Sequence, residues 1–403
     1  MTSEQITNWI YTHYGQENMR PGMDRIETVL KPLLPKFTKT RIITIAGTNG
    51  KGETTLRLSQ YLAKRKHFVW TSPHVERITE RFRSEEGEIS LDDLSKLIKE
   101  CHEELLQTGV SLSFYEFLFY VFCSWASRGG PEFLLLEVGL GGRLDAVNVF
   151  AADLVLLTSI SRDHQEFLGT RYEQILREKL GVTRPGRTIL SYLDLAYLRD
   201  RAARYCEERR VSFFDLEALG VFRPYEFSSR NQLLAYAAFY LLEGGKISEL
   251  PNHLSLSKWV PSQSALANRG EVVRQTNEWH FFGSHNPDGL RKLIQFLCSG
   301  TYNFRVPELH LVLASFSLRK ESDVRTMMKM LKTMGKNVRI TSFPHAKAYP
   351  AQRLEELAIQ EGLAFVHDPE TELRNRVGQK ILVLGSYYFL GHIRARFLRC
   401  LGS

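Results

Sequence analysis

Cysteine is scarce in this chain: five in 403 residues, at positions 101, 123, 206, 298 and 400, with no CxxC pair. An odd count without paired spacing argues against a disulfide framework and a cysteine metal cluster, and fits a reducing cytosol. No stretch approaches the ~18 uninterrupted apolar residues of a membrane span. The opening Met1-Thr2-Ser3-Glu4-Gln5 carries no basic segment leading into an apolar run, so no signal peptide is expected either. Low-complexity tracts and repeats at solenoid-like periods are also missing. The excess of positive charge is small, +8 from 53 Lys and Arg against 45 Asp and Glu, and it is scattered through helical patterns such as 201–210. That distribution speaks against a nucleic-acid surface, while a mildly basic field suits anionic substrates such as nucleotides and polycarboxylates.

What is present is a globular composition, 43% hydrophobic and 24% charged, in a chain long enough for two unequal domains. The run 41–46 is β-branched and ends at Gly47, and helical spacing of apolar residues follows over 54–64. Apolar runs at 133–138 and 154–158, separated by helix-like stretches such as 114–127, have the continuous character of strands buried on both faces of a parallel sheet. Asn231 opens an apolar helix to 242, where an ordinary helix cap is one reading of it. The turn-rich stretch after it, with Pro251 and Pro261, places a boundary near residue 267. Beyond it, strands expected at 280–282, 309–314, 338–340 and 381–384 alternate with helices such as 323–334, forming a second, smaller α/β unit.

The segment Gly47-Thr48-Asn49-Gly50-Lys51-Gly52-Glu53-Thr54-Thr55 lies between the first strand and its helix. Glycines there let backbone amides approach an anion at a helix N-terminus, and Lys51 can reach outer phosphates, although a glycine turn of this kind can also be purely structural. The P-loop spacing GxxxxGK[ST] is not met in full, because Gly52 and Glu53 follow Lys51. A carboxylate at Glu53 would repel a triphosphate unless it turned outward or faced a metal.

GTNGKG resembles the nucleotide loop of the dihydrofolate synthase/folylpolyglutamate synthase family, the folate branch of the Mur-ligase superfamily. The likeness continues in order: Thr71-Ser72-Pro73-His74 with Glu80-Arg81, Phe114-Tyr115-Glu116-Phe117, LEVGLGGRLDAVN over 136–148, Thr158-Ser159-Ile160, Asp163-His164, Phe167-Leu168-Gly169 and Arg177-Glu178-Lys179. Gly283-Ser284-His285-Asn286-Pro287 resembles DGAHNP with Phe282 in the aspartate position, and 385–391 resembles a C-terminal strand-turn.

The resemblance implies an α/β architecture: a P-loop-type parallel-sheet ATPase domain like the Mur-ligase central domain at 1–266, with folate-site elements, then a Rossmann-like glutamate-ligase domain at 267–403. It implies an ATP-dependent ligase joining L-glutamate to dihydropteroate or folates through an acyl phosphate. Gly47, Thr48, Asn49, Gly50, Lys51, Gly52, Glu53 and Thr54 would bind nucleotide, Asn231 would lie near adenine, and Arg269 and His285 would contact phosphate. Ser72, Glu137 and His164 would hold Mg²⁺. Lys179, carbamylated in many members, would hold a second metal, and K⁺ enters on the same footing. Closure of two lobes, a monomer and a cytoplasmic location are likewise implied. Two other readings stay open: an amino-acid ligase acting on a cell-wall nucleotide precursor, and a nucleotide- or folate-binding paralogue without catalysis.

Overall fold

The computed structural model describes residues 1–16, 20–222, 227–254, 269–299, 306–374 and 376–398. The chain divides into two compact units, Met1–Ser262 and Gln263–Ser403. The expected boundary near residue 267, and Cys400, lie outside the described residues.

Among the described residues the first unit holds eight strands: β1 (Arg41–Ala46), β2 (His67–Trp70), β3 (Phe82–Ser84), β4 (Gly87–Glu88), β5 (Phe133–Glu137), β6 (Leu154–Leu157), β7 (Thr188–Ser191) and β8 (Ser212–Asp215). They form one sheet in the order β4-β3-β2-β5-β1-β6-β7-β8. From β2 to β8 every pairing is parallel, and β3 and β4 add an antiparallel edge. Burial follows the period-2 geometry of a strand covered on both faces. Ile42, Ala46, Leu134, Leu136, Val155 and Leu157 pack to one side, and Ile43, Ile45, Leu135, Leu154 and Leu156 to the other. Each such leucine or isoleucine removed from water contributes roughly 1.5–3 kcal/mol. The helices Lys51–Tyr61 and Phe227–Leu242 lie against each other and contribute Leu58, Leu233 and Leu234 to the second of these layers. The aromatic-rich helix Phe114–Gly129 fills the first with Phe117, Phe119 and Phe122.

The second unit repeats the plan with β9 (Arg269–Arg274), β10 (Glu278–Phe282), β11 (Leu311–Ser315), β12 (Val338–Thr341), β13 (Ala364–Val366) and β14 (Lys380–Gly385), ordered β13-β12-β11-β14-β10-β9. All pairs are parallel except β9 with β10. Val312 and Leu382 face one layer, Leu313 and Val383 the other. Two expectations need correction. The helix expected to open at Asn231 begins at Phe227, one turn earlier, so Asn231 is an interior residue and not its cap. The segment 385–391 is a strand end followed by the helix Tyr387–Phe397. No helix among the described residues is long and apolar enough to cross a membrane.

Candidate active site

In a parallel sheet the carboxyl ends of neighbouring strands open on one side, and ligands bind where the strand order reverses. Here β2, β5, β1 and β6 are consecutive neighbours, and the chemistry-bearing residues follow their ends. Gly47 to Lys51 follow β1, Ser72 follows β2, Glu137 closes β5, and Ser159, Ser161, Asp163 and His164 follow β6.

The glycine loop is held by hydroxyls. The Thr48 amide donates to the Ser159 carbonyl at 2.8 Å, and the Asn49 amide to Ser159 Oγ at 3.0 Å. Thr158 Oγ1 donates to the Asn49 carbonyl at 2.7 Å, and Thr48 Oγ1 accepts from the Ser161 amide at 3.0 Å. Gly47 has φ +148°, and a Cβ there would lie 1.9 Å from Thr158 Oγ1, so this approach admits only glycine. Gly50 sits in the left-handed region at φ +90° and starts the helix Lys51–Tyr61 without a side-chain cap. Its first amides are therefore open to an anion, with the helix dipole in favour. Lys51 Nζ donates to the Thr48 carbonyl at 3.2 Å, which keeps the ammonium folded over the loop.

Lys179, buried in the helix Tyr172–Leu180, donates to the Gly47 carbonyl at 2.9 Å. Burial, reinforced by the nearby Lys51 charge, pulls its pKa down to about 7. An amine in that range is partly neutral, and so nucleophilic, at physiological pH.

Ser72 and Glu137 meet directly: the Ser72 amide donates to Glu137 Oε2 at 3.1 Å. The hydroxyl of Ser72 is buried without a hydrogen-bond partner. An orphaned hydroxyl beside a buried carboxylate suits a hard cation such as Mg²⁺, which takes oxygen ligands. His164, in a left-handed conformation at φ +48°, is half exposed, with Nδ1 3.9 Å from Glu166.

Glu53 neither turns outward nor extends towards the open side of the loop. It is 7% exposed, accepts from Asn231 Nδ2 at 2.7 Å and receives the Ser228 hydroxyl. Around the 136–148 segment, half-buried Tyr115 donates to Asp145 Oδ1 at 3.1 Å and accepts from Trp70 Nε1 and the Gly139 amide, both at 3.2 Å. Asp145 also accepts from the Leu140 and Val147 amides at 2.9 and 3.1 Å. Burial raises its pKa against these bonds. Glu80 orders the loop after β2 by accepting from the amides of Val75, Glu76 and Arg77 at 2.8–2.9 Å. The hydroxyl clamp of Thr158, Ser159 and Ser161, and the Tyr115–Asp145 brace, carry no assigned role in the sequence reading. The hydroxyls standing directly after an apolar strand are the signal that marks the clamp.

In the second unit, His285 stands between β10 and the helix Pro287–Cys298, its ring 5.5 Å from that of Tyr387. Arg269 opens β9, and its side chain lies outside the described residues. Phe282 closes β10, half-buried and paired with Leu384 of β14.

No family model matches the chain. The dihydrofolate synthase/folylpolyglutamate synthase of Bacillus subtilis (strain 168) is 26% identical to it across 98% of both chains. Bifunctional folylpolyglutamate synthase/dihydrofolate synthase from Yersinia pestis, crystallised with AMPPNP and Mn ion, matches it with a TM-score of 0.77 and 23% identity over 98% of each chain. E. coli FolC in complex with DHPP and ADP matches at TM-score 0.77 and 22% identity, over 98% of this chain and 97% of that one. At these identities the structural likeness establishes the fold.

Proposed function

The chain belongs to the dihydrofolate synthase/folylpolyglutamate synthase family, and from that premise we propose that it is an ATP-dependent ligase joining L-glutamate to dihydropteroate, to folates already carrying glutamate, or to both. The observation that carries this reading is the cluster at the ends of β2, β5, β1 and β6, where an uncapped glycine loop with Lys51 adjoins the Ser72–Glu137 pair.

A carboxylate is a poor acyl donor because its oxygen leaves badly. Transfer of the γ-phosphoryl group of ATP to that oxygen gives an acyl phosphate and ADP. The amine of glutamate then attacks the acyl carbon, loses a proton and expels phosphate. Lys51 and the open amides at the start of its helix stabilise the charge on the phosphate oxygens during transfer. The hydroxyl clamp keeps that loop in one shape. Ser72, Glu137 and His164 would hold Mg²⁺, which when bound neutralises phosphate charge. The near-neutral pKa of Lys179 supports its carbamylation, which would turn an amine into a carboxylate for a second cation. K⁺ as an activating ion, a monomeric state and a cytoplasmic location rest on resemblance. So does the division into an ATP-binding domain at 1–266 and a glutamate-ligase domain at 267–403.

The test is incubation of the protein with ATP, Mg²⁺, L-glutamate and dihydropteroate, with phosphate release and product mass as readouts. Phosphate should appear in step with a product one glutamate heavier, and Lys51→Ala should yield neither. Folate monoglutamate in place of dihydropteroate reports the extension activity. Release of phosphate without any glutamylated product from either pterin would refute the reading.

A further inference from the structure

One cation beside the candidate site has no task in the mechanism above. Arg162 stands in the run that follows β6, between two buried neighbours. Ser161 turns to the glycine loop, where its hydroxyl accepts from Asn49 Nδ2 at 3.1 Å, and Asp163 is 9% exposed. Arg162 is exposed, two residues before His164. Its guanidinium carbon lies 5.1 Å over the ring of Tyr172, the first residue of the helix that carries Lys179. Among the described residues its side chain makes no ion pair and no hydrogen bond. The acids close by in the chain lie elsewhere: Glu166 is 3.9 Å from His164, and Glu173 exerts its charge on Tyr197. A guanidinium resting on an aromatic face is held in place, yet it keeps N–H donors at its edge for an acceptor with two oxygens.

We propose that Arg162 is a specificity-determining residue: held on Tyr172, it takes the free carboxylate of a glutamate already attached to the pterin substrate. Dihydropteroate presents a single carboxylate, the one that is activated. A folate presents, for each glutamate it carries, one further carboxylate that is not activated and stays ionised. Phosphate charge is met on the glycine loop by Lys51 and the open amides of its helix, and it is Ser161, not Arg162, that turns to that loop. The cation left over, exposed beside the loop, matches the charge left over on the substrate. An arginine already resting on a ring loses little freedom when it closes a two-point contact with a carboxylate.

This inference rests on the reading of the chain as a glutamate ligase, and its test separates the two. Steady-state kcat and KM are measured for dihydropteroate, folate monoglutamate and folate diglutamate, and KM for ATP and L-glutamate, on wild type, Arg162→Ala, Arg162→Lys and Tyr172→Leu, with circular dichroism to establish that each variant is folded. In Arg162→Ala the kcat/KM for the two folates, taken relative to that for dihydropteroate, should fall on the order of tenfold, and the fall should lie in KM. Arg162→Lys, which keeps the charge without the fork, and Tyr172→Leu, which keeps the arginine without its support, should show smaller falls in the same ratio. A wild-type ratio in Arg162→Ala would overturn the proposal. So would a rise in KM for ATP or for L-glutamate in place of the folates, which would give the cation to the nucleotide or to the incoming amino acid. A wild-type protein that ligates glutamate to dihydropteroate but to neither folate would overturn this inference and leave the functional reading standing. One that uses none of the three acceptors would overturn both.

Discussion

Two turns in this chain lead from a buried parallel strand into a helix, residues 47–51 in the first unit and residues 283–287 in the second, and they spend their backbone amides differently. At the first, Gly50 offers no side chain and the helix Lys51–Tyr61 begins uncapped, with a lysine folded over it. At the second, fully buried Asn286 caps its own helix: Oδ1 accepts from the Gly289 amide at 2.8 Å. The first turn leaves donors for a ligand, whereas the second satisfies one of its own. Strand-turn-helix geometry alone does not make an anion site; the residue at the cap decides how much of the helix terminus is still available.

Substitutions at the two turns should separate these roles. Removing the ammonium of Lys51 takes away the charge that the first turn presents to phosphate. Lys51→Ala should lower ATP-dependent phosphate release on the order of a hundredfold or more with little change in melting temperature. Activity above half of wild type would mean that the lysine is structural. Next in size, Glu137→Ala should impair turnover more than His164→Ala, because the carboxylate is buried against Ser72 while the imidazole is half exposed. Titrating Mn²⁺ by electron paramagnetic resonance should show the same ranking in metal affinity, and the reverse order would contradict it.

Lys179 gives a pH test of the packing behind the loop. Its folded pKa of about 7 lies below the ordinary 10.5. Between those values the unfolded chain binds more protons than the folded one, so this residue makes stability rise with pH from about 7 to about 10.5. Denaturant melts across that window should show the rise in wild type and its loss in Lys179→Met; parallel curves would place the amine in water. The smallest effect belongs to the second turn. Asn286→Ala should cost about 1 kcal/mol of stability, as helix caps do, and leave tripolyphosphate affinity unchanged. A marked fall in that affinity would erase the contrast between the two turns.

Much of this was legible in the sequence where burial is two-sided. The β1 run is apolar or β-branched at nearly every position, so strand and glycine loop stand out together, and β5 and β6 do so for the same reason. Strands β7 and β8 are four residues each, and Ser-Phe-Phe-Asp is too short and mixed to carry a period. The antiparallel edge of β3 and β4 is shorter still. At the site, Lys51, Ser72, Glu137 and Lys179 could be named because each stands in an ordered run of residues resembling one family. The pairing of Glu53 with Asn231 could not, because 178 positions separate them and only the packing of two helices brings them into contact. That second helix starts a turn before its sequence signal, because its first turn, Phe-Ser-Ser-Arg, lacks the apolar spacing that begins at Asn231.

The most direct measurement is a crystal of this protein grown with AMPPNP and Mn²⁺, examined at the manganese absorption edge. The account predicts triphosphate density against the amides of residues 50–52 and Lys51, with an anomalous peak within coordination distance of Ser72 Oγ and the Glu137 carboxylate. Nucleotide and metal bound at another place, with those residues left as they are, would contradict it.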